Sequence, residues 1–340
     1  MTGYVNSSHS STKDSAAQPL LQVKNLTVNF MTSSGEVNVL DDVSFDIHRG
    51  ETLALVGESG SGKSVTALNI NRLLASPPAR IVSGEILFEG QDLLKASAQT
   101  LRGLRGKDIS TVFQEPMTSL HPTYTVGHQI VELIRTHTND TPAQAKERAI
   151  EMLRRVGIPD PGRRFDEYPY KLSGGMCQRV MIAMALACQP KLLIADEITT
   201  ALDVTIQAQI LDLLRDLHES TGIAVLFITH DLSVVAEVAH RVAVMYSGRI
   251  VEEASVKTLF QTPQHPYSVG LLAASPTLDL SGARLPSIGG QIPDPSNRPT
   301  GCQFHPRCPL ATAQCQAEAP PMQMLGQHHR VACWQAPLGE

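Results

Sequence analysis

Apolar and polar residues alternate along LLQVKNLTVNF (20–30) and again along VLDDVSFDIHRGE (39–51). A two-residue period places one face in a core, so both segments are predicted to be half-buried strands. TLALV (52–56) is continuously apolar, as a strand covered on both faces should be. A glycine-rich loop then leads into an amphipathic helix, VTALNINRLL (65–74), and SGEILFEGQDL (83–93) reads as a further strand with turns at its ends. Residues 101–170 read as mostly helical. Within them TPAQAKERAIEMLRRVG (141–157) carries its own punctuation: Thr141 as N-cap, Pro142 in the first helical position, Gln144 completing a capping box and Gly157 as the stop. After residue 172 the expected order is helix 173–188, strand 191–196, helix 204–219, strand 223–229 and helix 231–240. The last of these five patterns precedes a hairpin in VAVMYSGRIVEEA (242–254), turning at Ser247-Gly248. In helix 204–219, Ile206, Ile210, Leu213, Leu214 and Leu217 fall on one stripe.

Strands alternating with helices imply an α/β fold around a parallel sheet covered on both faces. The chain turns proline-rich beyond about residue 262, in TPQHPYSVGLLAASP and LPSIGGQIPDPSNRPTG. The expected organisation is a lead-in (1–19), an α/β domain (20–260) with a helical subdomain near 101–185, and an irregular extension (261–340). At 340 residues, 42% hydrophobic and 18% charged, the composition is that of a globular chain. A net charge of −5 lacks the basic footprint of a nucleic-acid binder, and no nucleic-acid partner is expected. No apolar run approaches the roughly 18–20 residues of a membrane span, and the polar first residues lack the layout of a signal peptide. A cytoplasmic protein is expected, with any membrane role exercised through partners.

GESGSGKS (57–64) matches G-x-x-x-x-G-K-[ST] between a strand and a helix. Gly57, Gly60 and Gly62 let the backbone curl so that the amides of Glu58, Ser59 and Ser61 and the helix start at Val65 face a phosphate. Lys63 reaches the β- and γ-phosphates, and Ser64 suits Mg²⁺. KLLIADE (191–197) ends a strand in two carboxylates at the same sheet edge. Asp196 suits Mg²⁺, and Glu197 suits polarising an attacking water. LSGGMCQRV (172–180) opens a helix with Ser173, Gly174 and Gly175, a second anion site that a chain with its own phosphate loop does not need for itself. It is expected to serve the nucleotide of another subunit.

With GESGSGKS, FQEP (113–116), LSGGMCQR, LLIADE, ALD (201–203) and ITHD (228–231) in this order, the chain resembles the ATP-binding subunits of ABC transporters over about residues 21–260. The resemblance implies a P-loop NTPase fold with a mixed sheet core, an antiparallel β subdomain and a helical subdomain. It implies two such subunits facing head to tail, with each ATP between one phosphate loop and the other subunit's signature residues, here Leu172, Ser173, Gly174, Gly175 and Gln178. Gln114 would touch Mg²⁺ and the attacking water, Glu197 would be the general base, His230 would contact the γ-phosphate, Asp203 would organise the dimer interface, and Phe30 would stack on adenine. One departure is Ile198, where the family usually has proline; an isoleucine there is expected to loosen the backbone beside Glu197.

FQEPMTSLHPTYTVGHQI (113–130), GGMCQRVMIAMALACQPKLLIADE (174–197) and QHPYSVGLLAASP with the tail narrow the resemblance to the di- and oligopeptide importers. That implies two transmembrane permease subunits, often a second and different ATP-binding subunit, an external solute-binding protein and a place at the cytoplasmic face of the membrane. Import of nickel, glutathione, a peptide antibiotic or a sugar, and a transporter-free ATPase, are the alternatives.

The tail spaces Cys302, Cys308, Cys315 and Cys333 as C-x5-C-x6-C-x17-C. Zinc sites favour short pairs, and a reducing compartment disfavours disulfides. Four thiolates can also hold a [4Fe–4S] cluster at varied spacing, and the family resemblance implies one for some members. Cluster, zinc and free thiols remain open, with Arg307 expected to offset cluster charge. Cys177 and Cys188 are expected as small core residues.

Overall fold

The computed structural model describes residues 18–33, 35–198, 204–274 and 288–339. Strands β1 (Leu21–Thr32) and β2 (Gly35–Ile47) form an antiparallel pair, with Val23 opposite Phe45 and Leu26 opposite Val43. Together with β4 (Ala79–Phe88) and β5 (Gln91–Asp92) they make a sheet in the order β2-β1-β4-β5. Leu21 and Val23, then Leu26 and Val28 after a shift in register, are all buried.

The second sheet has eight strands. It comprises β3 (Thr52–Val56), β6 (Ile109–Val112), β7 (Leu192–Asp196), β8 (Ala224–Thr229), β9 (Arg241–Tyr246), β10 (Arg249–Ser255), β11 (Gln323–Gly326) and β12 (His329–Val331), in the order β11-β12-β10-β9-β3-β8-β7-β6. The five strands β9, β3, β8, β7 and β6 run parallel, and β10, β12 and β11 continue the sheet antiparallel. Every residue of β3, β7 and β8 is buried, which accounts for their unbroken apolar runs.

Helices Val126–His137, Pro142–Arg155 and Gly174–Leu186 pack around Ile130, Ile134, Ala149, Leu153 and Ile182, all fully buried. Each large aliphatic side chain buried there stabilises by about 1.5–3 kcal/mol. The capping box is present: the Thr141 hydroxyl accepts from Gln144 N, and Thr141 N donates to Gln144 Oε1 at 2.9 Å. In helix Val204–Thr221 the stripe is turned inward, with Ile210, Leu214 and Leu217 buried and neighbouring Leu211 joining them.

Two features differ from the expectation. The region 101–170 contains β6, a four-residue strand whose Ile109 pairs with Leu192 and Val112 with Ala195. ISTV is too short to show a period, and only its place at the sheet edge makes it a strand. The extension also holds more regular structure than its proline content predicts, because β12 pairs on β10 with Glu252 opposite Val331 and Glu253 opposite Arg330. The fully buried Glu252 carboxylate accepts from the amides of Gln264 (2.6 Å) and His265 (2.9 Å) and lies 2.9 Å from His329 Nε2. Beside it, Glu253 is bonded by both Arg241 and Arg330.

Glu252→Ala leaves the buried amide of His265, the half-buried amide of Gln264 and the His329 imidazole without their acceptor. It should lower unfolding stability by about 3 kcal/mol, read as a shifted denaturation midpoint, and should expose the tail to limited proteolysis first.

Candidate functional site

The phosphate-loop sequence lies between β3 and helix Lys63–Ile70. Gly57, Gly60 and Gly62 have φ of 155°, 83° and 109°. A Cβ at Gly57 would stand 2.2 Å from the Met245 carbonyl oxygen, so the backbone of β9 presses directly on the loop. Lys63 is 5% exposed, and its ammonium donates to the carbonyls of Gly57 (2.8 Å) and Glu58 (3.1 Å). Burial lowers its pKa, while Glu197, Asp196 and Glu58 act in the opposite direction. Ser59 is exposed, whereas Ser61 is fully buried with a hydroxyl that has no partner among the described residues. Val65 packs on the core beneath.

The turn between β9 and β10 braces the loop. Gly248 N donates to Ser61 O at 2.8 Å, and Asp41 N donates to Gly248 O at 2.9 Å. A Cβ at Gly248 would stand 2.2 Å from Val39 O.

The ends of β7 and β8 supply the facing groups. Ser64 Oγ donates to Asp196 Oδ1 at 3.2 Å. Burial raises the Asp196 carboxyl above the ordinary aspartate range; the Ser64 hydroxyl opposes this, Glu197 adds to it and Lys63 again opposes it. Glu197 holds the left-handed backbone conformation at φ 49°, which costs on the order of 1–3 kcal/mol in a residue other than glycine. Two contacts hold it there: Glu197 N donates to Ile228 O at 2.9 Å, and Ile198 is 1% exposed within the helical-side core. Burying that isoleucine contributes about 1.5–3 kcal/mol, enough to balance the strain. Ile198 is thus packed into that core immediately after Glu197. The Glu197 carboxylate accepts from Gln114 Nε2 at 2.8 Å, and His230 Nδ1 lies 3.6 Å from its other oxygen. Gln114 and His230 are exposed, so this group opens outward.

Ser173 caps helix Gly174–Leu186 by accepting from Met176 N at 3.3 Å, and Ser173 and Gly174 are exposed. Gly175 is half-buried, while Leu172 and Gln178 are buried in this chain. Phe30 is half-buried on the antiparallel-sheet core. Asp203 lies outside the described residues.

All six cysteines are unpaired thiols. Cys177 is in the core, and Cys188 is half-buried just past the helix end. Cys302, Cys308, Cys315 and Cys333 come from separate segments yet influence one another. Burial pushes Cys302 up to about 11, with Cys315, Cys333 and Cys308 adding to the shift; burial likewise raises Cys308 and Cys333. Cys302 N donates to Cys315 O at 2.8 Å. Among the described residues, no group of three or more His, Cys, Asp or Glu side chains is drawn together as the ligands of a metal ion are. Arg307 does not face the thiols as expected. Its guanidinium pairs with Glu58 of the phosphate loop, Nη1–Oε2 at 2.7 Å and Nη2–Oε1 at 3.0 Å. Sequence reasoning also missed Tyr267, whose hydroxyl accepts from Glu58 N at 2.9 Å. A sequence separation of 209 or 249 residues leaves no local pattern that would signal either contact.

A phosphate loop, a strand-end Asp-Glu pair, and a glutamine and a histidine converging on the glutamate define a P-loop NTPase of the ATP-binding-cassette kind. The chain matches the ABC transporter family over residues 40–200 and the oligopeptide/dipeptide transporter C-terminal region over residues 251–315. It is 50% identical over 317 residues to the dipeptide transport ATP-binding protein DppD of Bacillus subtilis, covering 93% of this chain and 95% of that protein. It is 52% identical over 316 residues to the oligopeptide transport ATP-binding protein OppD of Bacillus subtilis, covering 93% of this chain and 88% of that protein. The dimeric structure of MJ0796, a bacterial ABC transporter cassette, is similar at a TM-score of 0.63 and 28% identity, over 69% of this chain and 98% of that one. The chain belongs to the ABC transporter family, in its branch of oligopeptide/dipeptide ATP-binding subunits, and its enzymatic activity is ATP hydrolysis.

Because burial raises the Asp196 carboxyl, acidification protonates it earlier than an ordinary aspartate. Mg²⁺ dependence titrated from neutral toward acid pH should show affinity for MgATP falling early. Asp196→Asn should bind MgATP weakly throughout and lose that component of the pH profile.

Proposed function

We propose that the chain powers uptake of di- and oligopeptides through a membrane permease. The convergence of Gln114 and His230 on Glu197, beside the Lys63–Ser64–Asp196 group, carries the mechanistic part of this reading. Identity near 50% to dipeptide and oligopeptide transport subunits over nearly the whole chain carries the cargo.

ATP occupies the loop 57–64, whose amides and Lys63 hold the β- and γ-phosphates. Ser64, Asp196 and Gln114 would hold Mg²⁺, which when bound would supply charge neutralisation on the phosphates. Glu197 takes the proton of the attacking water, and its bond to Gln114 fixes the direction of its lone pairs. His230 stands beside the same carboxylate, where it contacts the γ-phosphate. The cap Ser173-Gly174-Gly175 belongs to the ATP of a second ATP-binding subunit, a different chain in a heterodimer, and Asp203 organises the interface between the two. ATP closes this pair and hydrolysis reopens it, which drives two permease subunits fed by an external solute-binding protein. The chain then sits peripherally at the cytoplasmic face; no described helix is long and apolar enough to cross a membrane.

In the tail, Cys302, Cys308, Cys315 and Cys333 would hold a [4Fe–4S] cluster. The donor set fits in kind: four unpaired thiols that influence one another, with no disulfide competing for them. A bound cluster would cross-link the segments of the tail and offset the burial that now disfavours the thiolates.

Glu197→Gln should retain ATP binding while turnover falls by roughly 10²–10⁴-fold; steady-state hydrolysis at the wild-type rate would refute the general-base role. Protein purified without oxygen should be brown and carry about four iron atoms per chain, whereas colourless protein with stoichiometric zinc would dismiss the cluster.

A further inference from the structure

We propose that Arg307 is a positioning residue for the phosphate loop, so that the cysteine-bearing tail sets the ATP affinity of its own subunit. This rests on the reading that loop 57–64 cradles ATP.

The Arg307 side chain is 4% exposed. Its five donor contacts are all made: Nε to Gly289 O (2.8 Å), Nη1 to Glu58 Oε2 (2.7 Å) and the Tyr246 hydroxyl (3.4 Å), and Nη2 to Glu58 Oε1 (3.0 Å) and Ile288 O (3.3 Å). The guanidinium also lies 5.8 Å from the Tyr246 ring and 6.0 Å from the Phe304 ring. A buried fork with every N–H engaged has one orientation available, so the partner it grips is held as firmly as the tail itself.

That partner is the second residue of the phosphate loop. Glu58 gives its side chain to Arg307, its N–H to Tyr267 and its carbonyl to the Lys63 ammonium. Tyr246, Tyr267 and Phe304 meet edge-on or tilted with centroids 4.7–5.4 Å apart, making a stiff wall behind the contact. Arg307 thus acts in two ways. It fixes the strand-to-loop exit from which Lys63 is aimed, and it neutralises a carboxylate that would otherwise face an incoming polyanion. The residue after it is Cys308, so any change in how the thiols are held moves the arginine directly.

The test uses the full chain, with ATP affinity from a fluorescent nucleotide titration and kcat and KM from steady-state hydrolysis. Arg307→Gln should weaken ATP binding and raise KM about tenfold, with kcat at saturating ATP within about twofold of wild type. Arg307→Lys should recover little of this, because a point charge lacks the fork. Unchanged affinity and KM in Arg307→Gln would overturn the inference. Should that variant fold poorly, Arg307→Lys keeps the charge, loses the fork and must still raise KM; an unchanged KM there overturns the inference equally. Lys63→Ala is the reference for a disabled loop: wild-type protein no tighter than Lys63→Ala discards the nucleotide reading itself, whereas wild-type binding retained by both Arg307 variants discards only the tail's part.

Discussion

The register of three parallel strands is the constraint on which the active site depends. Val56 pairs with Thr229 across β3 and β8, and Asp196 pairs with Ile228 across β8 and β7. The three strands therefore end nearly level. The residues that follow them, Gly57 onward, His230 and Glu197, emerge at one edge. A slip of one residue would exchange the two faces of a buried strand and carry Asp196 away from Ser64. Complete burial of all three strands makes such a slip prohibitive, so the chemistry inherits its precision from apolar packing beneath it.

At that edge the charges are arranged for a ligand. Lys63 is buried and bonds loop carbonyls; Asp196 is buried beside Glu197, which adds to the rise in its pKa. Both groups are disfavoured in their charged forms by burial, and on the proposed reading both would gain from a phosphate–Mg²⁺ pair that supplies the opposite sign to each.

How much of this was legible in the sequence depended on contiguity. GESGSGKS is a single run whose strand and helix flank it, and the Thr141–Gln144 box is local, so both were readable. The meeting of Gln114, Glu197 and His230 was reached only through resemblance to a family, since no spacing in the chain encodes it. Strand β6 escaped because four residues cannot display a period. The burial of Ile198 in a core formed by other helices is not signalled by its place after Glu197. The Arg307–Glu58 pair had no sequence signal at all, being a product of the tail folding back along β10.

The turn at Ser247-Gly248 illustrates what such tertiary dependence means for working with this protein. A two-residue hairpin tip is ordinarily where a chain accepts an added peptide or reporter. Here Ser247 is 2% exposed, and Gly248 bonds the phosphate loop through its N–H and β2 through its carbonyl, with Arg298 of the tail donating to neighbouring Val39 O at 3.0 Å. The site that a loop-grafting scheme would choose first is a keystone between three parts of the molecule, so labels and linkers belong elsewhere on its surface.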